Sequence, residues 1–209
     1  MKIGLVDSGI GVVPFIKEII KQNKNNDYYL FIDNEYFPYG NKNEKELLDR
    51  FLFILNYFER YSIEQLLICC NTLSYIYLKY LPKSNFKVST ILEINLRKNI
   101  PLLTTEYLSR NIDSISGGDL ASFIEENNIT NIIKLIKDID TNEIVLSCTH
   151  YPLIKSLFSY YKINAYSFEN ELIESLKSEE ECITIYVNKN NLNLIKKYFF
   201  KLRISLLDD

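Results

Sequence analysis

Leu66-Leu67-Ile68-Cys69-Cys70-Asn71-Thr72 and Ile144-Val145-Leu146-Ser147-Cys148-Thr149-His150 share one form: a short apolar run, a small residue, then a cysteine and a polar pair opening a helical pattern. An apolar run that short reads as a strand buried on both faces. The helix after it carries the chain back so that the next strand pairs in parallel. Outward from these two stretches the same switch of period recurs. Strands are expected at residues 3–6, 28–32, 66–69, 86–91, 102–104, 144–147, 163–166 and 183–187. Helices are expected at 11–22, 44–61, 72–80, 119–127, 129–138, 151–161, 170–177 and 191–202. Alternating strands and crossover helices define an α/β protein, and eight short strands suit two small parallel sheets. Ser178-Glu179-Glu180-Glu181 is expected as a solvated loop.

Composition narrows the function. With 209 residues, 47% hydrophobic and 24% charged, the chain has ample material for a core, which excludes disorder as the dominant state. A net charge of −3 supplies no field to hold a polyanion, so neither nucleic acid nor an anionic membrane is the expected partner. Small-molecule chemistry is favoured instead. The start, Met1-Lys2-Ile3-Gly4-Leu5-Val6-Asp7, meets an acid too soon for a signal-peptide core, and no uncharged apolar stretch approaches ~20 residues, so a cytoplasmic location is expected. Four cysteines without C-x-x-C spacing suggest neither disulfides nor zinc, and free, reduced thiols are expected. Two alanines against 22 asparagines reflect a biased genome better than any structural need.

Ligand sites in open α/β sheets form on the loops leaving the carboxyl ends of strands. Three such loops carry polar chemistry: Asp7-Ser8-Gly9, Cys70-Asn71-Thr72 and Cys148-Thr149-His150. A cysteine at a helix N-terminus faces the positive end of the macrodipole, which favours thiolate and lowers its pKa. Cys70 and Cys148 are therefore candidate bases, whereas Cys69 and Cys182 read as small buried hydrophobes. The single histidine, His150, lies two residues after a candidate thiol, where an imidazole can hold or relay its proton. Asp7 reads equally as a cap of the first helix.

Ile3-Gly4-Leu5-Val6-Asp7-Ser8-Gly9-Ile10-Gly11, Pro38-Tyr39-Gly40, Cys70-Asn71-Thr72 and Cys148-Thr149-His150-Tyr151-Pro152-Leu153 together resemble the glutamate racemase family of the aspartate/glutamate racemase superfamily. The resemblance implies two flavodoxin-like parallel-sheet lobes related by a pseudo-two-fold, with the active site in the cleft between them. The first lobe would take residues 1–93 plus 168–209, and a shortened second lobe 94–167. It also implies a racemase that needs no pyridoxal phosphate, metal, nucleotide or other cofactor. This enzyme would interconvert L- and D-glutamate and supply D-glutamate for peptidoglycan. Carried over, Cys70 and Cys148 become the two acid/base thiols, with Asp7, His150 and Glu125 as their helpers. Asp7, Ser8, Pro38, Tyr39, Gly40, Asn71, Thr72, Thr105, Thr149 and His150 fall where the family binds substrate, and a homodimer is admitted. Inversion at carbon itself asks for one group on each face, which near-attack geometry sets roughly 6–7 Å apart.

The chain departs from the family pattern at Val12, where a second glycine is usual, and at Tyr36, in place of an arginine. Thr104-Thr105-Glu106-Tyr107-Leu108 and Ser167-Phe168 also depart from it, and the deficit in length lies between residues 93 and 142. These changes keep two alternatives open: a racemase of aspartate or another small acid, and a degenerate racemase acting as a binding or regulatory protein.

Overall fold

The computed structural model describes residues 1–207, and within them ten strands alternate with ten α-helices. The strands are β1 (Lys2–Asp7), β2 (Asp27–Ile32), β3 (Gln65–Ile68), β4 (Lys87–Thr90), β5 (Leu102–Thr104), β6 (Ile115–Ser116), β7 (Glu143–Leu146), β8 (Asn164–Tyr166), β9 (Thr184–Val187) and β10 (Arg203–Leu206). The helices are α1 (Val13–Lys21), α2 (Glu44–Arg60), α3 (Asn71–Tyr80), α4 (Ile91–Leu96), α5 (Glu106–Ser109), α6 (Leu120–Glu125), α7 (Ile129–Lys137), α8 (Lys155–Tyr160), α9 (Glu169–Glu174) and α10 (Leu192–Tyr198). Six strands form one sheet in the order β10-β9-β2-β1-β3-β4, and four form a second in the order β6-β5-β7-β8. All pairings are parallel, as the apolar runs require.

Strand alternation distributes the first sheet between two cores. Ile3, Leu5, Leu30, Leu67 and Cys69 face α1, α9 and α10 through Phe15, Ile16, Ile19, Ile173 and Ile195. Val6, Phe31, Leu66, Ile68 and Cys70 face the opposite way, onto Leu47, Phe51, Ile54 and Phe58 of α2. Neighbouring cysteines therefore part company: Cys69 is core on one side, as expected, and Cys70 belongs to the other, whereas Cys182, expected to be buried like Cys69, is exposed in the loop before β9. The second sheet has its own core, in which Leu103, Ile144 and Leu146 meet Ile124, Ile132, Ile136 and Phe158.

Helix ends follow local chemistry. Asn43 Oδ1 accepts the Glu46 N–H and Glu46 Oε2 accepts the Asn43 N–H, both at 2.9 Å, a capping box that starts α2. The expected strand 86–91 stops at Thr90 because its hydroxyl caps α4, accepting the Glu93 N–H at 3.3 Å. The helix expected at 11–22 begins with a 3-10 turn, Ile10–Val12, with Pro14 in the first turn of α1, where a missing N–H costs nothing. The helix expected at 151–161 likewise divides into a 3-10 turn, Tyr151–Ile154, and α8.

Four elements escaped the periodicity: β6, with two residues; α4 and α5, with six and four; and the half-exposed edge strand β10. None is long enough, or buried enough, to impose a hydrophobic period. Ser178–Glu181 is the expected exposed loop, and Glu180 there pairs with the N-terminal ammonium at 2.9 Å.

Candidate active site

The carboxyl ends of β1, β3 and β7 send their loops toward one another, and a single cavity lies where they meet. Cys70 is the N-cap of α3 in extended conformation (φ −68°, ψ 123°), and Cys148 precedes the Tyr151–Ile154 turn. Both line the cavity, with Ser8, Pro38, Tyr39, Gly40, Asn71, Thr72, Thr105, Thr149 and His150. Of the residues singled out in the sequence, only Asp7 and Glu125 stand outside this lining, each one contact behind it. Free space between the loops is about 20 Å³, enough for one water and far below the roughly 300–1,000 Å³ of ordinary ligand pockets. Larger hollows of about 360 and 630 Å³ lie beside Arg50 and beside Pro101, and no cysteine lines either.

Two glycines let the first loop reach the second sheet. A Cβ on Gly9 would collide with Glu125 Oε1, and one on Gly11 with Thr149 Oγ1. Through this close approach Glu125 Oε1 accepts the Ile10 N–H at 3.1 Å while holding His150 Nε2 at 2.8 Å. Thr72 Oγ1 and Thr105 Oγ1, 3.1 Å apart, join the sheets on the other side.

The charges around the two thiols are opposite. Burial of Asp7 raises its pKa to about 6, against the pull of His150, the Thr149 hydroxyl and the Gly9 N–H. Its Oδ1 accepts that N–H at 3.1 Å, a local turn bond and not the helix cap expected of it, since Gly9 and Val12 hold the N-cap positions, and its Oδ2 is buried with no hydrogen-bond partner. Burial also pushes the Cys70 thiol well up, and the negative Asp7 adds to this, while the Leu73 and Thr72 N–H groups work against it. The thiolate-favouring helix terminus is therefore present at Cys70 but outweighed by burial. Burial lowers the pKa of His150, yet its hydrogen bonds with Cys148 and Glu125 and the nearby Asp7 carry it to about 10. Glu125 is held below its ordinary value despite burial, by His150 and the Ile10 N–H. At neutral pH an imidazolium stands beside Cys148.

Tyr39 does not offer its hydroxyl to the cavity. It donates to Asp33 Oδ2 at 2.6 Å, and Arg50 clamps the same carboxylate with Nε and Nη2 at 2.8 and 2.6 Å. The Arg50 guanidinium lies 4.3 Å from the Tyr36 ring centroid, so Tyr36 serves this clamp.

Sequence reading missed Asp33, Arg50, Phe37 and Ala121. Phe37 packs its ring 5.2 Å from that of His150, and Ala121 lines the cavity. For Ala121 a signal existed: it is one of only two alanines in the chain, at a place where bulk would fill the cleft. Among the described residues no group of three or more His, Cys, Asp or Glu is placed to hold a metal, and no helix is long and apolar enough to cross a membrane.

Two parallel sheets joined at a cleft, with one cysteine loop from each, form the aspartate/glutamate racemase fold. The glutamate racemase of Buchnera aphidicola subsp. Acyrthosiphon pisum (strain APS) is 30% identical over 238 aligned positions, covering 94% of this chain and 88% of its own. That of Aliarcobacter butzleri is 30% identical over 191, covering 74% and 73%. The crystal structure of glutamate racemase from Campylobacter jejuni superposes with a TM-score of 0.75 at 25% identity, covering 97% of this chain and all of the other. No family model matches the chain. On this similarity the chain belongs to the glutamate racemase family, whose members are amino-acid isomerases.

Proposed function

We propose that the protein interconverts L- and D-glutamate by a two-thiol mechanism without a cofactor. The observation that carries this reading is the pair of cysteines, delivered by different sheets to one cavity and flanked by charges of opposite sign. Cys148, beside the His150 imidazolium, is the sulfur that takes the Cα proton from one face. Cys70, kept neutral by burial and Asp7, is the thiol that delivers a proton to the other face. The reverse reaction exchanges these states, and Asp7, with its unpartnered Oδ2, is the group placed to take up the Cys70 proton balance. Glu125 orients His150 and holds its charge. Ser8, Asn71, Thr72 and Thr149 bind the amino and carboxylate groups, and the backbone of Pro38-Tyr39-Gly40 closes over the substrate.

In this reading residues 1–93 with 168–209 form one lobe and 94–167 the other, the D-glutamate supplies peptidoglycan, and the enzyme works in the cytoplasm. The naming of the relatives supports glutamate as the substrate. Purified protein with L-glutamate in D₂O, without additives, is expected to lose optical rotation while Cα becomes deuterated. Folded protein that does neither overturns the reading. A kcat/KM for aspartate equal to or above that for glutamate would overturn the substrate alone, since one methylene is worth ~1–3 kcal/mol.

A further inference from the structure

Behind the cavity, three buried side chains close a hydrogen-bonded triangle in which neither thiol takes part. Asn95 Nδ2 donates to Asn71 Oδ1 at 2.9 Å and to Ser147 Oγ at 3.1 Å, and the Ser147 hydroxyl donates to Asn71 Oδ1 at 2.9 Å. Asn71 is the residue after Cys70, and Ser147 is the residue before Cys148. Asn95 comes from α4, in the connection between the two sheets. One amide group therefore holds both thiol loops, and all three residues are buried.

The triangle has a direction. It could also be closed with both amides turned over, Asn71 Nδ2 then donating to Ser147 Oγ and to Asn95 Oδ1. The far end of the Asn95 amide decides between the two, because it is buried without a hydrogen-bond partner. As found, that end is a carbonyl oxygen; turned over, it would be an NH₂ with two unpaired hydrogens. Buried unpaired donors are the rarer and costlier state. Asn71 Oδ1 is thus saturated by two donors, and its NH₂ is the end left for the cavity that Asn71 lines.

We propose that Asn95 is a positioning residue. It keeps the Cys70 and Cys148 loops in register and turns the Asn71 amide so that a pure donor meets the substrate carboxylate, not its ammonium group. The inference rests on the two-thiol reading above, and Asn95 itself does not line the cavity.

Kinetics of Asn95→Leu, Ser147→Ala and the double variant test it. Each single variant leaves Asn71 Oδ1 one donor and is expected to raise KM for glutamate about threefold to tenfold, with kcat changed less than about threefold. The double variant, with no donor left, is expected to raise KM by more than the product of the singles. A fall in kcat at unchanged KM, or a double variant no worse than that product, overturns the role in carboxylate binding. If Asn95→Leu does not fold, Ser147→Ala, which deletes a single hydroxyl, carries the same expectation. Amide hydrogen exchange supplies an arm that needs no turnover: residues 69–74 and 146–151 are expected to exchange faster together in Asn95→Leu. Faster exchange confined to α4 overturns the tether. A wild-type protein inert toward glutamate would remove the two-thiol reading, and the exchange arm would still judge Asn95.

Discussion

The loops after β3 and β7 follow one pattern, with only the cysteine in common, yet arrive in opposite electrostatic surroundings. Cys70 caps a ten-residue helix and faces a buried carboxyl, whereas Cys148 leads into a four-residue 3-10 turn and faces an imidazolium backed by Glu125. The strand–cysteine–helix device sets where each sulfur goes. The charged surroundings come from three places: Asp7 from the end of β1, His150 from the Cys148 loop itself and Glu125 from α6. A two-base inversion needs this asymmetry, because one sulfur must start with the proton and the other without it.

The sharpest way to break the comparison is to remove one sulfur at a time. Cys70→Ser and Cys148→Ser are each expected to lower kcat/KM for racemisation by about 10³-fold or more, because serine is nearly isosteric but far too weak a base. If the loops are as unlike as they look, each variant keeps slow Cα deuteration of one glutamate enantiomer, and the two variants keep opposite enantiomers. Exchange of the same enantiomer by both, or activity within about tenfold of wild type, would show that the sulfurs do not flank the substrate.

Next in size is the charge beside Cys148. His150→Gln is expected to cost about 10²-fold in kcat, with the fold intact. Thermal scans give an independent reading. The folded pKa of His150, about 10, exceeds the ordinary 6.5, so its contribution to stability is complete below pH 6.5 and is lost as pH rises toward 10. The variant should lack that alkaline loss. Asp7→Asn tests the other loop with the same sign logic. Its carboxyl is raised from 3.8 to about 6, so the fold favours the protonated form, and stability is lost as pH rises through that window. The asparagine variant is expected to be more stable than wild type at pH 8, by up to about 3 kcal/mol, and less active. Equal stability at pH 8 would mean that Asp7 is better solvated than its burial indicates.

Much of this was legible in the sequence because the device repeats. The paired apolar runs locate both parallel sheets, and loops at the carboxyl ends of β1, β3 and β7 meet around one cavity. The illegible parts belong to tertiary context. Nothing local to Cys70 says that burial will outweigh its helix terminus. The Asp33–Arg50 clamp on Tyr39 joins residues 17 apart on a strand end and a helix, with no periodic signature. Asn95 reads as one asparagine among 22, in a stretch whose four-to-six-residue helices carry no period. Short elements draw their definition from what they pack against, so their sequence says little alone.

The smallest effect is expected at Glu125, and it separates holding a charge from holding a position. Glu125→Gln keeps a carbonyl oxygen for the Ile10 N–H and for a His150 hydrogen bond but removes the negative charge 2.8 Å from Nε2. With burial opposing the imidazolium and only Cys148 and Asp7 left to favour it, the pKa of His150 must fall from about 10. At pH 7 most of the imidazolium survives, so kcat is expected to drop only about threefold to tenfold. At pH 9 the deficit should widen, because the alkaline limb of the rate profile moves down by about one unit. A loss that is the same at pH 7 and pH 9 would mean that Glu125 acts by fixing the His150 ring and the Ile10 loop alone. The electrostatic contrast between the two thiol loops would then rest on His150 and Asp7 without it.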